Sequence, residues 1–146
     1  MILSSFYGHL QVVELLLSRG ANPNELNKFG YSAVMWAATN GYMEIAKLLI
    51  DNGADVNIIS QFGDTALLFA SYRGKAEMVK LLIDSGGMKS LTHVDLKGNT
   101  AQSLAMEMKH IDTLAIIEEA LKLMPMQSQE DLLRQNQHMI EKNAKK

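Results

Sequence analysis

Nine of the ten glycines in this chain fall into three phased sets. Gly8, Gly41 and Gly74 are spaced by 33 residues, and so are Gly20, Gly53 and Gly86. Gly30, Gly63 and Gly98 follow with steps of 33 and 35, which places a two-residue insertion within GMKSLTHVD, from Gly87 to Asp95. The text between the glycines repeats as well: LLLSRGANPN, LLIDNGADVN and LLIDSGGMKS begin at Leu15, Leu48 and Leu81. Turns that recur at a fixed period of this size imply a row of like supersecondary units, not a single irregular core.

Each unit has a physical grammar. Ser32, Thr65 and Thr100 stand where a first helix should start, because a hydroxyl there can accept a bond from an orphan backbone N–H. VMWAATN and LLFASYR then fill about two helical turns with small residues that allow close packing, and Gly41 and Gly74 end that helix. A second helix follows in MEIAKLLIDN and AEMVKLLIDS. Its buried face is expected at Ile45, Leu48 and Leu49, and at Met78, Leu81 and Leu82. Gly53 and Gly86 cap it, and the polar stretch up to Gly63 or Gly98 is a turn or hairpin. Helices shorter than about 12–15 residues are marginal alone. Each pair therefore needs a stacked neighbour, and each unit serves as the core of the next.

The motifs resemble the ankyrin repeat, a unit of a β-turn plus two antiparallel helices. GYSAVMWAATNGYMEIAKLLIDNGADVN and GDTALLFASYRGKAEMVKLLIDSG carry the match, GHLQVVELLLSRGANPN is a partial copy, and GNTAQSLAMEMKHIDTLAIIEEAL a degenerate final one. The resemblance implies an all-α solenoid over residues 1–122, with units at 1–26 (partial), 27–59, 60–92 and 93–122, followed by a tail or capping helix at 123–146. Some positions depart from the pattern. The family's T-P-L-H reads SAVM, TALL and TAQS here, and Lys109 replaces the fourth glycine, as suits a terminal unit. The first unit starts inside its inner helix, as expected of a fragment of a longer array, the alternative being an N-terminal face that is frayed or covered by something else.

Composition narrows the function. The 146 residues are 47% apolar with two prolines, and the net charge of −2 supplies no basic footprint for nucleic acid or an anionic membrane. No cysteine is present for disulfides, thiolate catalysis or cysteine-ligated zinc. No apolar run approaches the roughly 20 residues of a membrane helix. MILSSFYGHL does not read as a signal peptide. A soluble monomer in the cytoplasm or nucleus, without cofactor, is the expectation.

A search for catalytic chemistry comes up empty. His9 and His110 share one phased position at the start of a second helix, a structural role, while His93 lies in the insertion and His138 in the tail. Glu44, Glu77 and Asp112 also share one position, where negative charge complements the helix dipole. Neither a phosphate loop nor a calcium loop is present.

Aromatic residues point instead to recognition, since Tyr, Trp and Phe dominate binding hot spots. All but Tyr42 of the nine fall on turns or inner helices, and none lies beyond Tyr72. The resemblance implies contacts from residues flanking the first glycine and from the inner-helix ends. In the first unit these are Phe6 and Tyr7. In the second they are Lys28, Phe29, Tyr31, Thr39 and Asn40, with Trp36 on the inner helix between them. The third supplies Gln61, Phe62, Asp64, Tyr72 and Arg73, and the fourth Leu96, Lys97, Asn99, Glu107 and Met108. Two structural alternatives stand beside this: Trp36 and Phe69 can pack between inner helices, and Phe29 and Phe62 can brace the turns. Asn24 and Asn57 occupy the family's exit-turn asparagine, which the resemblance implies can be hydroxylated, while side-chain bonds that fix the turn are the favoured reading.

In the tail, Pro125 ends the last repeat helix. Ser128 and Asp131 could start a short helix with Leu132, Leu133, Met139 and Ile140 on one face, as a cap, a mobile tail or a partner-binding helix. The whole pattern predicts a non-catalytic protein–protein interaction module that grips another protein or peptide. The alternatives are a regulatory or targeting segment of a larger enzyme, of kinase or ubiquitin-ligase type, and a purely structural scaffold.

Overall fold

The computed structural model describes residues 1–124 together with 133, 134, 137, 138 and 140–142. The expected helix start at Ser128 and Asp131, with Leu132 and Met139, lies outside them. Leu133 and Ile140 are helical and exposed.

Four helix pairs follow in order: α1 (Ile2–Tyr7) with α2 (Leu10–Ser18), α3 (Ala33–Asn40) with α4 (Met43–Asp51), α5 (Ala66–Tyr72) with α6 (Ala76–Asp84), and α7 (Ala101–Glu107) with α8 (Ile111–Lys122). No strand occurs among the described residues, so the polar connections are turns. The inner helices α1, α3, α5 and α7 stack in a row, and the outer helices α2, α4, α6 and α8 form a second row behind them. The insertion forms a 3₁₀ segment, Gly87–Thr92, that buries Leu91 and Ser90.

Helix starts follow the sequence with one exception. Thr65 Oγ1 accepts from the Leu68 amide at 3.2 Å, and Thr100 and Ser103 cap each other reciprocally. Ser32 occupies the same position but its hydroxyl caps nothing; it is buried without a hydrogen-bond partner. The outer-helix face is shifted by one position. Ile45, Ala46 and Leu49 are buried, as are Met78, Val79 and Leu82, whereas Leu48 and Leu81 are only half-buried. A residue next to the apolar stripe replaces one on its edge, because a small or β-branched side chain there lets the inner helix come close. Glu44, Glu77 and Asp112 sit in the first turns of α4, α6 and α8, as their phase implies.

All nine phased glycines have positive φ, from 68° to 100°. At Gly74 two constraints coincide. Its φ is 68°, and the imidazole of His110, at the N-cap of α8, fills the space where a Cβ would stand. The same fit repeats up the array, with the Tyr42 ring against Gly8 and the Lys75 stem against Gly41. The N-cap residues of α4, α6 and α8 thus rest on the glycine of the preceding unit. At the fourth position Lys109 adopts φ 59°, the one non-glycine residue at positive φ among those described, and its side chain is exposed.

A left-handed conformation costs an ordinary residue about 1–2 kcal/mol. Lys109→Gly should therefore raise stability by roughly 0.5–1 kcal/mol, after glycine's own entropic cost. Gly74→Ala, which adds an overlap with His110 to the backbone strain, should lower it by more than about 2 kcal/mol. Urea unfolding of both variants checks the opposite signs; equal effects would show that the His110 contact has no weight.

Candidate functional site

The turns that carry the candidate residues are built by a side chain two residues before the aromatic tip. Asn27 Oδ1 accepts from the amides of Phe29 and Tyr31, both at 3.0 Å. Ser60 Oγ does the same for Phe62 and Asp64, and Asp95 Oδ1 for Lys97 and Asn99. Backbone bonds close each turn, from Asn27 N to Tyr31 O, Ser60 N to Asp64 O and Asp95 N to Asn99 O. Sequence reasoning missed Asn27, Ser60 and Asp95. They share the 33 and 35 spacing of the turn glycines, which is the signal that could have found them.

Neighbouring turns are joined by backbone as well. The Gln61 amide donates to Phe29 O at 3.0 Å and the Leu96 amide to Phe62 O at 3.4 Å. A Cβ on Gly63 would lie 2.9 Å from the Leu96 nitrogen, so only glycine allows the fourth turn to approach this closely.

On this frame seven of the nine aromatic residues, all but Tyr42 and Tyr72, form one connected belt. Phe6 on α1 meets Tyr7 at 4.9 Å and Trp36 at 5.2 Å between ring centres, both edge-on. Trp36 then meets Tyr31 at 5.4 Å and stacks on Phe69 at 6.3 Å. Tyr31 touches Phe69, Phe62 and Phe29, and Phe29 lies 6.1 Å from Phe62. Trp36 and Phe69 do pack between inner helices, but both remain half-buried. Tyr7, Phe29, Phe62 and Tyr72 are exposed by 62%, 40%, 49% and 46%, which leaves a broad apolar face uncovered on one side of the array. Lys28 Nζ stands 5.0 Å above the Phe29 ring.

Several other candidates are already engaged in holding units together. Asn40 Nδ2 donates to Phe6 O at 2.9 Å, and Gln61 Nε2 to Lys28 O at 2.8 Å. The Tyr31 hydroxyl donates to Asp64 Oδ2 at 3.2 Å, and a ring nitrogen of His110 lies 3.0 Å from Tyr72 O. Thr39 only returns its hydroxyl to Met35 O within its helix, and Asn99 bonds within its own turn. Arg73, Lys97, Glu107, Leu96 and Met108 are exposed. An open groove of about 740 Å³ runs from Tyr31 across Phe62, Phe69 and Tyr72 to Lys97 and Glu107. It gathers candidates from the second, third and fourth units. Phe6, Tyr7, Lys28, Phe29, Trp36, Thr39, Asn40, Gln61, Arg73 and Met108 lie outside its lining.

Asn24 and Asn57 face away from this groove, in the exit turns. Asn24 Nδ2 donates to Gly53 O and its Oδ1 accepts from the Asp55 amide. Asn57 repeats the pattern one unit on, bonding Gly86 O and the Ser90 hydroxyl. The insertion adds a further bridge, from a His93 ring nitrogen to Gly63 O at 2.7 Å. No group of three or more metal-ligating side chains occurs among the described residues, and no helix among them is long and apolar enough to cross a membrane.

A family model described as ankyrin repeats (3 copies) matches residues 1–91 and 52–122. The chain belongs to the ankyrin repeat family. A search of curated proteins returned no match. Ankyrin repeats are in general protein–protein interaction modules and typically non-catalytic, so the turn-and-inner-helix face is the first place to look for a partner.

Burial, the negative charge of Asp64 and the hydrogen bond to it hold the Tyr31 phenol above the ordinary tyrosine pKa near 10, against a smaller opposing effect from Ser60. The folded state thus holds this proton more tightly than the unfolded chain does. The resulting stability is complete below pH 10 and is lost as pH rises through the folded-state pKa. Ultraviolet titration should show a tyrosine ionisation above the ordinary range near pH 10, and Tyr31→Phe should remove that late component. In the exit turn, Asn57→Ala leaves the Gly86 carbonyl and the buried Ser90 hydroxyl without their partner. It should cost about 1–3 kcal/mol, read by thermal or urea unfolding beside the wild-type chain.

Proposed function

We propose that this chain is a non-catalytic interaction module that binds a partner protein or peptide along the face formed by its turn tips and inner helices. The observation that carries the reading is the belt of half-exposed rings running beside an open groove. Exposed aromatic surface on this scale, rimmed by Arg73, Lys97 and Glu107, has the make-up of a recognition surface. The hydrogen bonds between units hold the belt in one arrangement before any partner arrives, which lowers the ordering cost of association. We assign the working face to the second, third and fourth units, with Phe62, Tyr72 and Arg73 as principal contacts and Tyr31 mainly as their support. The chain acts as a monomer in the cytoplasm or nucleus, on neither nucleic acid nor membrane, and the Asn24 and Asn57 side chains serve the exit turns; intact mass after exposure to an asparagine hydroxylase would show whether those turns also open to modification.

The test is retention of proteins from a cell lysate by the chain and by a Phe62→Ala/Tyr72→Ala/Arg73→Ala variant of matched circular dichroism and melting. These side chains are exposed and make no hydrogen bond between units among the described residues, and only the ring contacts of Phe62 with Phe29 and Tyr31 are given up, so the variant should fold. A partner kept by the parent should be lost by the variant, with an affinity drop of about tenfold or more. Retention by both would move the working surface elsewhere, and retention by neither would favour the scaffold reading.

A further inference from the structure

The groove combines two kinds of chemistry. Its lining holds the rings of Tyr31, Phe62, Phe69 and Tyr72 and, among them, three carboxylates against one ammonium group. The carboxylates are not equivalent. Asp95 is consumed by its own turn, where Oδ1 accepts from the Lys97 and Asn99 amides at 2.8 Å and Oδ2 from Asn99 Nδ2 at 3.1 Å. Asp64 receives the Tyr31 and Ser60 hydroxyls on Oδ2 alone, which leaves Oδ1 without a hydrogen bond among the described residues. Glu107, the last residue of α7, is exposed, and neither it nor Asp64 is paired with a cation among the described residues. Arg73 and Lys28 lie outside the lining.

Aromatic faces carry negative potential, and carboxylates beside them add to it. An acidic partner would be repelled here, and a purely apolar one would strip water from Asp64 without replacing it. A cation satisfies both groups at once. The neighbouring turn already shows the preference, in the ammonium of Lys28 over the ring of Phe29.

We propose that this groove receives an arginine side chain of the partner, its guanidinium lying against the rings and hydrogen-bonded to Asp64, with Glu107 completing the charge balance. The proposal rests on the reading of this face as a partner-binding surface. A guanidinium suits it better than an ammonium because it is planar, weakly hydrated and able to stack on a ring while its edge donates to a carboxylate.

Nuclear magnetic resonance titration of the isotopically labelled chain tests the idea with three probes: N-acetyl-arginine amide, N-acetyl-lysine amide, and N-acetyl-citrulline amide, a neutral copy of the arginine shape. The arginine probe should bind in the millimolar range and move amide resonances within residues 62–72 and 95–107. The citrulline probe should bind about tenfold more weakly, and Asp64→Asn should weaken the arginine probe by a similar factor. Asparagine can still accept from the Tyr31 hydroxyl, so that variant should retain the fold, which its unperturbed resonances elsewhere would verify. Equal binding of citrulline and arginine, unchanged arginine binding by Asp64→Asn, or no movement of groove resonances at the solubility limit would each overturn the proposal. A lysine probe that binds more tightly than arginine would overturn the choice of guanidinium. These failures are separable from failure of the surface itself. The latter appears as a lysate partner held equally by the Phe62/Tyr72/Arg73 variant, whatever the probes do.

Discussion

Ala33, Ala37 and Ala38 on α3, Ala66 and Ala70 on α5, and Ala101 and Ala105 on α7 are all fully buried. Where these alanines meet, the inner helices approach closely, and the rest of the structure depends on that approach. It brings adjacent turns near enough for the Gln61 and Leu96 amides to reach carbonyls of the preceding turn. It also sets the N-cap residues of α4, α6 and α8 onto the preceding glycine. Larger side chains at these alanine positions would push the units apart and break both contacts. Bulky apolar residues fill the core from both rows, with Met35, Leu67 and Leu68 on inner helices and Leu49, Met78, Leu82 and Ile117 on outer ones.

The same closeness shapes the binding face. Rings spaced one repeat apart fall within van der Waals reach of each other, so Trp36 stacks on Phe69 and Phe29 leans on Phe62. An aromatic pair held in this way is rigid without being buried. Polar candidates such as Asn40, Gln61 and Asp64 then serve two purposes, since the side chain that could greet a partner also fixes its neighbour. Truncating any of them would confound loss of contact with loss of order. By contrast, Tyr72 and Arg73 make no side-chain hydrogen bond or ring contact to another unit among the described residues, and Phe62 makes only ring contacts with Phe29 and Tyr31.

Much of this was legible because glycine has a conformational meaning independent of its neighbours. The three phased sets located every turn, and the substitution at Lys109 marked a left-handed position that the backbone does adopt. Helix pairs, their acidic first turns and the placement of the aromatic residues followed. Less legible were features whose partners lie in another unit. Asn27, Ser60 and Asp95 differ in type, and only their shared acceptor oxygen reveals a common task. The tie between Tyr31 and Asp64 joins residues 33 apart that no local pattern connects. Ser32 illustrates the reverse, a position of correct phase whose hydroxyl finds no amide, and nothing in the structure explains why its two counterparts succeed. The groove itself is a shape shared by three units and cannot be read from any one of them.

The hydrogen bonds between units span only 29 to 38 residues of chain. Among the described residues no strand waits for a distant mate, so closing each unit costs little loop entropy and the topology favours rapid folding. During synthesis, a pair of helices can dock as soon as its successor leaves the ribosome, well before the last residues are made. Under a pulling force or a protease, the same local wiring should release the array one unit at a time from its ends, with the middle units, and the rings they carry, surrendered last.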